Sequence, residues 1–188
     1  MKKQHVYSFN DGNGQDKKLL GGKGANLCEM TQIGINVPPG FVITTEACLD
    51  YLERDSLPGG LLDSVRDQIG KLEAATGKTF GAGPDPLLVS VRSGSALSMP
   101  GMMDTILNLG LNDETLAGLS EQSGDERFAY DAYRRFIQLF GKVALGINDE
   151  PFDEHFEAVK NREGVKADVG LIAENLKEIS DKFLAVVL

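Results

Sequence analysis

Two stretches of the sequence combine residue types that could bind a phosphate group or a similar anion. In residues 21–24, Gly-Gly-Lys-Gly, Lys23 stands among glycines at the predicted start of a helix. A lysine in that position adds a point charge to free backbone N–H groups, and both attract an anion. Arg92 ends an apolar run directly before a Gly- and Ser-rich loop. Its guanidinium could hold phosphate oxygens through two parallel hydrogen bonds, which a lysine cannot do.

The residues alone also allow simpler interpretations of both stretches. Residues 21–24 lack the P-loop pattern G-x-x-x-x-G-K-[ST], because Gly24 follows Lys23 where a hydroxyl group would be needed to hold Mg²⁺. A glycine turn before a helix, with an exposed lysine, explains this cluster without any ligand. Arg92 could equally extend from a sheet into solvent or pair with a carboxylate.

The loop after Arg92 spans residues 93–105 and mixes small residues with methionines. It begins with Gly, Ser and Ala and continues as Met-Pro-Gly-Met-Met-Asp-Thr. A loop of this kind at the end of a strand can bring several backbone N–H groups close to an anion. The adjacent methionines suggest a flap over a ligand that is flat and partly apolar. The alternative is a buried connection filled by methionine side chains.

The elements around these stretches predict an α/β unit over residues 1–111. Leu87, Val89 and Val91 share one face of a predicted buried strand, and residues 106–111 form a second apolar run. Upstream, the sequence predicts strands at 6–9 and 41–44 and helices at 25–33, 45–52 and 61–77, with Thr45 as the N-cap of the second helix.

Residues 112–188 are predicted to be helical. Asn112 or Asp113 would cap a short helix, and a long helix would follow at 125–145. We expect the apolar stripe of the long helix to lie in the core: Phe128, Ala132, Phe136 and Phe140. Later helices would bury Phe152, Phe156, Val159, Leu171, Ile172, Leu176, Ile179 and Phe183. The predicted fold is therefore α/β (α+β), a small mixed sheet with flanking helices followed by a helical subdomain at 112–188.

Composition limits the classes of function. The 188 residues are 41% hydrophobic and 25% charged, which is ordinary for a globular protein. A net charge of −9 argues against nucleic-acid binding, which needs a basic surface. No secretory signal and no apolar run long enough to span a membrane are evident, so we expect a cytoplasmic protein without membrane contact. Cys28 and Cys48 lie in apolar patterns and are predicted to be reduced core thiols.

Several segments resemble the pyruvate, phosphate dikinase family. Residues 89–113, VSVRSGSALSMPGMMDTILNLGLND, are similar to one segment of that family. Residues 21–30, GGKGANLCEM, and 38–48, PPGFVITTEAC, resemble its opening, and 128–141, FAYDAYRRFIQLFG, also fits. The Met-Pro-Gly-Met-Met-Asp-Thr loop is specific, because the related phosphoenolpyruvate synthases have an aromatic residue and Gly-Gln there.

The resemblance implies the first part of an ATP-grasp nucleotide-binding domain. In that family the lysine and the arginine contact the ATP phosphates, and the Gly-rich loop closes over them. A serine hydroxyl and two methionine N–H groups of the loop would donate to phosphate oxygens, and a glycine would allow close approach of the backbone. We expect Asp104 to brace the loop rather than face the phosphates. The predicted ATP-binding residues are Lys23, Arg92, Ser98, Gly101, Met102 and Met103.

Enzymes of this family interconvert ATP, phosphate and pyruvate with AMP, diphosphate and phosphoenolpyruvate through a phosphohistidine. The sequence contains two histidines, His5 and His155, and neither lies in a motif that resembles the family's catalytic segment. We therefore expect no catalytic residue in this chain. The resemblance places the ligands of the Mg²⁺ that accompanies ATP outside it, together with the second half of the nucleotide domain and the phosphohistidine domain. It also implies that the full-length enzyme is a homodimer.

The sequence therefore predicts an N-terminal fragment of such a dikinase, which binds the ATP phosphates and is inactive alone. Its last residues, 183–188, form an apolar run, which is unusual for a natural terminus. Two alternatives remain at this point. One is a stand-alone nucleotide-binding or regulatory module with the same fold, and the other is a fragment of a phosphoenolpyruvate synthase-type dikinase.

Overall fold

The contacts within the chain divide it into two compact units. The structure is a computed structural model that describes residues 3–94 and 104–188. Among these, residues 3–77 and 93–94 belong to the first unit, and residues 78–92 and 104–188 belong to the second. The predicted division into an ATP-binding subdomain (1–111) and a helical subdomain (112–188) is a functional one, and it stays a prediction.

The first unit is built from a two-stranded sheet and three helices. Strands β1 and β2 pair antiparallel, with Val6 opposite Ile43 and Ser8 opposite Phe41. The elements are β1 Val6–Ser8, α1 Lys17–Gln32, β2 Phe41–Ile43, α2 Thr45–Arg54 and α3 Leu61–Thr76. Two small buried clusters hold them together, Val6 with Ala47 and Leu61, and Leu20 with Ala25 and Cys28.

Local signals explain where these helices begin and end. Asp16 caps α1, because its carboxylate accepts a hydrogen bond from the backbone N–H of Leu19 at 3.0 Å. Helix α2 is capped by Thr44, whose hydroxyl accepts from the N–H of Ala47 at 3.2 Å. The prediction of Thr45 as this cap is wrong by one residue. Helix α3 ends at Gly77, whose φ of 71° suits a residue without a side chain.

The two cysteines differ in environment. Cys28 is buried in α1, and burial raises the pKa of its thiol. Cys48 is exposed on α2, so the prediction that both are core thiols is wrong for Cys48. Both are free cysteines, as predicted.

The second unit contains two further two-stranded sheets and a set of helices. Strands β3 and β4 pair in parallel, and β5 and β6 pair antiparallel with a bulge between Val89 and Val91. The elements are β3 Thr79–Phe80, β4 Pro86–Leu87, β5 Val89–Arg92, β6 Thr105–Leu109, α4 Asp113–Ser123, α5 Glu126–Leu145, α6 Glu150–Glu163, a 3₁₀ turn Asp168–Gly170 and α7 Ala173–Val187. The chain is thus a mixture of small sheets and helices, which confirms the predicted fold class.

Strand β5 is more exposed than its sequence pattern predicts. Val91 is 47% exposed, and Arg92 is also exposed. In the part of the chain that the structure describes, β5 has β6 as its pairing partner and no second neighbour. The prediction of a buried strand is therefore wrong, because alternating apolar residues do not reveal how many strands flank them.

The core of the second unit is formed by its helices. Phe152 and Phe183 meet edge to face, with 5.0 Å between ring centroids and an interplanar angle of 80°. The buried residues of this cluster are Leu111, Leu116, Ala129, Ala132, Tyr133, Ile137, Phe152, Val159, Leu171, Leu176, Ile179 and Phe183. Of the predicted stripe on α5, Ala132 is buried and Phe136 packs against the cluster, as predicted, whereas Phe128 is 49% exposed. Ile172 is 56% exposed, contrary to prediction.

Helix α4 packs closely on the loop between β3 and β4. A Cβ at Gly118 would clash with the carbonyl group of Pro84 and would lie 2.8 Å from its carbon. The side chain of Gln122 donates to the same carbonyl oxygen at 2.6 Å, and Asn112 donates to the carbonyl of Gly81 at 2.8 Å. The absence of a side chain at Gly118 therefore lets the helix lie directly on the loop backbone.

Ion pairs fasten α6 to α7. Arg162 holds Glu178 through two hydrogen bonds of 2.9 and 2.7 Å, and Lys182 lies 2.7 Å from the same carboxylate. These contacts lower the pKa of Glu178 from its ordinary 4.5 to about 2. The guanidinium remains half exposed, so solvent screens the pair and limits its contribution to stability.

Within residues 3–94 and 104–188, no helix combines the length and the apolar character that crossing a membrane requires.

We predict that Gly118→Ala lowers the free energy of unfolding by about 1–3 kcal/mol, because the added methyl group must push α4 away from Pro84. Gly70→Ala is the matched control. It also lies inside a helix, but a Cβ there meets nothing within 4 Å, so it should stabilise by about 0.5–1 kcal/mol. Chemical denaturation followed by circular dichroism measures both. Equal effects of the same sign would contradict the packing described for α4.

We predict that Glu178→Gln reduces stability at neutral pH by at most about 1 kcal/mol, and that this effect shrinks toward zero as the pH falls through about 2. The native pKa of Glu178, about 2, lies below its ordinary 4.5. Its contribution is therefore complete above pH 4.5 and disappears as the pH falls through about 2. Denaturation midpoints measured across this range test the prediction. Glu154→Gln on α6 is the control, and a difference from the parent chain that persists undiminished at pH 2 would argue against the ion pair.

Candidate nucleotide-binding site

Lys23 lies just after a sharp kink in α1. Gly21 has φ 68° and ψ 164°, values far from those of a helix, and the chain is helical on both sides of it. A residue with a side chain is strained in this conformation, so glycine is required here. The helix therefore begins at Lys17 and not after residues 21–24 as predicted. The kink nevertheless places Lys23 in the first turn of the segment that continues to Gln32, as the sequence suggested.

Gly24 fixes this segment against the sheet. A Cβ at Gly24 would lie 2.8 Å from Cγ1 and 2.9 Å from Cγ2 of Val42 in β2. Gly24 and Ala25 are buried, whereas Lys23 is exposed. Two glycines of residues 21–24 thus have structural roles: Gly21 allows the kink, and Gly24 allows the helix to pack closely on β2. Together they hold Lys23 on the solvent side of a rigidly seated helix.

The loop before α1 is also tied to this helix. The side-chain amide of Gln32 donates to the carbonyl oxygens of Gly12, Asn10 and Phe9 at 2.6, 3.2 and 3.3 Å. A Cβ at Gly12 would lie 2.6 Å from Sγ of Cys28. These contacts pack the loop directly on the far end of α1, so the helix is held by the loop and by β2.

A second contact reaches α1 from the start of α2. The hydroxyl of Thr45 donates to the carbonyl oxygen of Lys18 at 2.6 Å and lies 3.2 Å from that of Leu19. Both carbonyls belong to the turn that precedes Gly21. The sequence did not reveal this contact, because Thr45 was expected to cap its own helix. One signal was available: residues 17–20 follow the capping residue Asp16 and could have been predicted as a helical turn in front of the glycines.

Among the residues that the structure describes, Lys23 has no carboxylate partner that would neutralise it. Its side chain is exposed, and it forms no ion pair or hydrogen bond with the residues that the structure describes. Many other cations of the chain do pair with carboxylates, for example Lys142 with Asp149 at 2.6 Å. An unpaired lysine in the first turn of a helix segment keeps its charge available for an anionic ligand.

Arg92 is the last residue of β5 and lies opposite Thr105 of β6. It is exposed, and no carboxylate among residues 3–94 and 104–188 pairs with its guanidinium. The alternative that Arg92 serves in an ion pair therefore finds no partner in these ranges. Its strand is held by the antiparallel ladder with β6, which fixes the backbone at the root of the Gly- and Ser-rich loop.

The other predicted ATP-binding residues, Ser98, Gly101, Met102 and Met103, lie outside the described residues, so their predicted roles stay predictions. Lys23 belongs to the first unit and Arg92 to the second, and each is described within its own unit. The role of Asp104 also stays a prediction.

The protein ligands of Mg²⁺ are predicted to lie outside this chain, and this stays a prediction. Where the structure is described, no three His, Cys, Asp or Glu side chains are grouped so that they could hold a metal ion.

The class of protein follows from comparison with known families. Residues 17–61, which include α1 with its kink, match the sequence model of a family described as "Pyruvate phosphate dikinase, AMP/ATP-binding domain". These residues are therefore similar to part of the AMP/ATP-binding domain of that family.

Similarity to individual proteins extends over nearly the whole chain. It is 54% identical over 182 residues to a pyruvate, phosphate dikinase of Entamoeba histolytica, covering 96% of the chain and 21% of that protein. The dikinase of Clostridium symbiosum is 49% identical over 182 residues, with the same two coverages. A chloroplastic dikinase of Zea mays is 50% identical over 191 residues, covering 99% of the chain and 20% of the relative. The chain belongs to the pyruvate, phosphate dikinase family, and it spans about a fifth of the length of these relatives.

Proposed function

We propose that this chain supplies part of the ATP site of a pyruvate, phosphate dikinase. Such an enzyme interconverts ATP, phosphate and pyruvate with AMP, diphosphate and phosphoenolpyruvate through a phosphohistidine. The observation that carries the proposal is the match of residues 17–61 to the AMP/ATP-binding domain, because these residues contain the kinked helix and the unpaired Lys23. The complete reaction requires parts of the enzyme that are present in the longer relatives, so we propose that this chain alone lacks full activity.

In this proposal the two cations act on the ATP phosphates. Lys23 contributes a point charge beside the N–H groups of a helix turn, and Arg92 contributes a planar fork of donors. Their exposure and their lack of carboxylate partners in the described ranges support both roles. The Gly-rich loop adds the hydroxyl of Ser98 and the backbone N–H groups of Met102 and Met103, with close approach allowed at Gly101.

Phosphoryl transfer also depends on a metal ion and on the other substrates. Mg²⁺ bound with ATP would neutralise charge that develops on the phosphates, and we propose that its protein ligands come from the rest of the enzyme. We further propose an ATP-grasp architecture for the complete nucleotide domain, inorganic phosphate as a second substrate, a cytoplasmic location and a homodimeric full-length enzyme. The stand-alone module and the phosphoenolpyruvate synthase fragment are not favoured, because the relatives reported above are pyruvate, phosphate dikinases.

We predict that Lys23→Ala and Arg92→Ala each weaken MgATP binding about tenfold or more, because each removes a charge-assisted contact to phosphate. Calorimetric titration of the 188-residue chain measures this directly. Arg54→Ala in the first unit and Lys177→Ala in the second are the controls, since each removes an exposed cation that lies outside the proposed site. If the controls weaken binding as much as the test variants, general charge and not a defined site is responsible.

The same substitutions should separate the two half-reactions in the full-length enzyme. Both should slow phosphoryl transfer from ATP and spare exchange between the phosphohistidine and pyruvate. Equal loss in the pyruvate half-reaction would show that the placement of that residue at the nucleotide is wrong.

A further inference from the structure

The kink in α1 leaves two carbonyl groups without the partners that a continuous helix would give them. In an unbroken helix the N–H of Gly22 would donate to the carbonyl of Lys18, and the N–H of Lys23 would donate to that of Leu19. Both bonds would span Gly21, whose φ of 68° and ψ of 164° turn the chain out of helical geometry. We therefore expect the kink to separate these N–H groups from these carbonyls.

The hydroxyl of Thr45 occupies the place of the missing donors. It donates to the carbonyl oxygen of Lys18 at 2.6 Å and lies 3.2 Å from that of Leu19, the same two acceptors that the kink leaves open. A carbonyl that is shielded from water favours a rearrangement that gives it a donor, and straightening α1 at Gly21 would do so; the contact with Leu19 is partly buried, whereas that with Lys18 is exposed. The hydrogen bond from the Thr45 hydroxyl reduces this driving force. Thr45 is the first residue of the neighbouring helix α2.

The consequence reaches the N–H groups on the other side of the kink. Because the Thr45 hydroxyl donates to the carbonyl of Lys18 and lies close to that of Leu19, we expect the N–H groups of Gly22 and Lys23 to stay out of the helix ladder. They remain beside the unpaired ammonium-bearing side chain of Lys23, an arrangement that suits a phosphate oxygen.

We propose that Thr45 is a positioning residue of the nucleotide site. Through its hydroxyl it keeps α1 kinked at Gly21, so that the N–H groups of Gly22 and Lys23 stay available to the ATP phosphates. Thr45 does not touch the nucleotide in this role. The inference rests on the proposed function for its ligand, but its structural half, the maintenance of the kink, is independent of it.

The neighbouring threonine provides a matched control. Thr44 is buried and caps α2 by accepting from the N–H of Ala47 at 3.2 Å. Thr44→Val should therefore reduce stability without changing the kink, whereas Thr45→Val should change the kink. Thr45→Ser keeps the hydroxyl and should behave as the parent chain does.

The first measurement is amide hydrogen exchange by NMR in the 188-residue chain, without nucleotide. In the parent chain the amides of Gly22 and Lys23 should exchange rapidly, because the helix does not protect them. In Thr45→Val their exchange should slow severalfold, because they now donate to the freed carbonyls. Gly21→Ala, which favours helical geometry at the kink itself, should slow the same two amides, and it keeps the test valid if Thr45→Val folds poorly.

The second measurement is MgATP affinity by calorimetry. Thr45→Val should weaken binding roughly threefold to tenfold, which is the size of effect expected from the loss of about one neutral hydrogen bond. Thr45→Ser should restore the affinity, and Thr44→Val should leave it unchanged. In the double variant Gly21→Ala with Thr45→Val the losses should not add, because both act on one kink.

The outcomes separate the inference from the proposed function. Unchanged exchange at Gly22 and Lys23 in a folded Thr45→Val chain overturns the role of Thr45, and if that variant does not fold, unchanged exchange in Gly21→Ala does so. Slower exchange without any change in MgATP affinity supports the maintenance of the kink and overturns the assignment of this turn to the nucleotide; if the 188-residue chain binds no MgATP, the same variants are compared in the full-length enzyme. Slower exchange with weaker binding that serine restores supports both.

Discussion

The close contact between Gly24 and Val42 is the constraint on which the candidate site depends most. It seats α1 directly on β2, with no room for a methyl group between the helix backbone and the valine side chain. Because the helix is fixed at this point, the turn at Gly21 has a fixed direction, and the position of Lys23 follows from both. A cation that must meet a phosphate at short range gains from such a rigid base, since little freedom remains to be lost on binding.

The buried cation Arg134 and the two proposed phosphate-binding cations differ in their contacts. In the second unit, Arg134 is buried and lies 2.7 Å from Asp131, with Phe156 stacked at 4.4 Å from its guanidinium carbon. Burial lowers the pKa of Arg134, and its carboxylate neighbours oppose that shift. Lys23 and Arg92 differ from it in exposure and in having no such carboxylate within the described ranges. In a chain of net charge −9, cations left without a partner are the ones best placed to attract an anion.

Local signals in the sequence were sufficient for most of the helices, whereas burial was harder to predict. Asn112 and Asp125 cap their helices through side-chain oxygens, and Gly77 ends another, as the residue types indicated. Periodicity correctly placed Ala132 in the core, but it also placed Phe128 there, and Phe128 is exposed while its neighbour Ala129 is buried. That error arises because an apolar stripe marks a helix without stating which neighbouring residue meets the partner helix.

The candidate site could also be predicted only in part from the sequence. The residue types around Lys23 predicted a glycine turn beside a helix, and the kink at Gly21 agrees with that expectation. The reason for Gly24 and the role of the Thr45 hydroxyl could not be predicted, because they depend on contacts between residues that lie 18 and 27 positions apart in the chain. Likewise, the exposure of Arg92 follows from the small size of its sheet and not from its own sequence neighbourhood.

The unequal exposure of the two cysteines has a practical consequence. Cys28 is buried under the loop before α1, and the raised pKa of its thiol disfavours the reactive thiolate. Cys48 is exposed on α2, three residues beyond Thr45. A maleimide dye or a nitroxide spin label should therefore attach selectively to Cys48 without any engineered cysteine. The native sequence thus carries its own spectroscopic handle on the helix whose first residue contacts the kink.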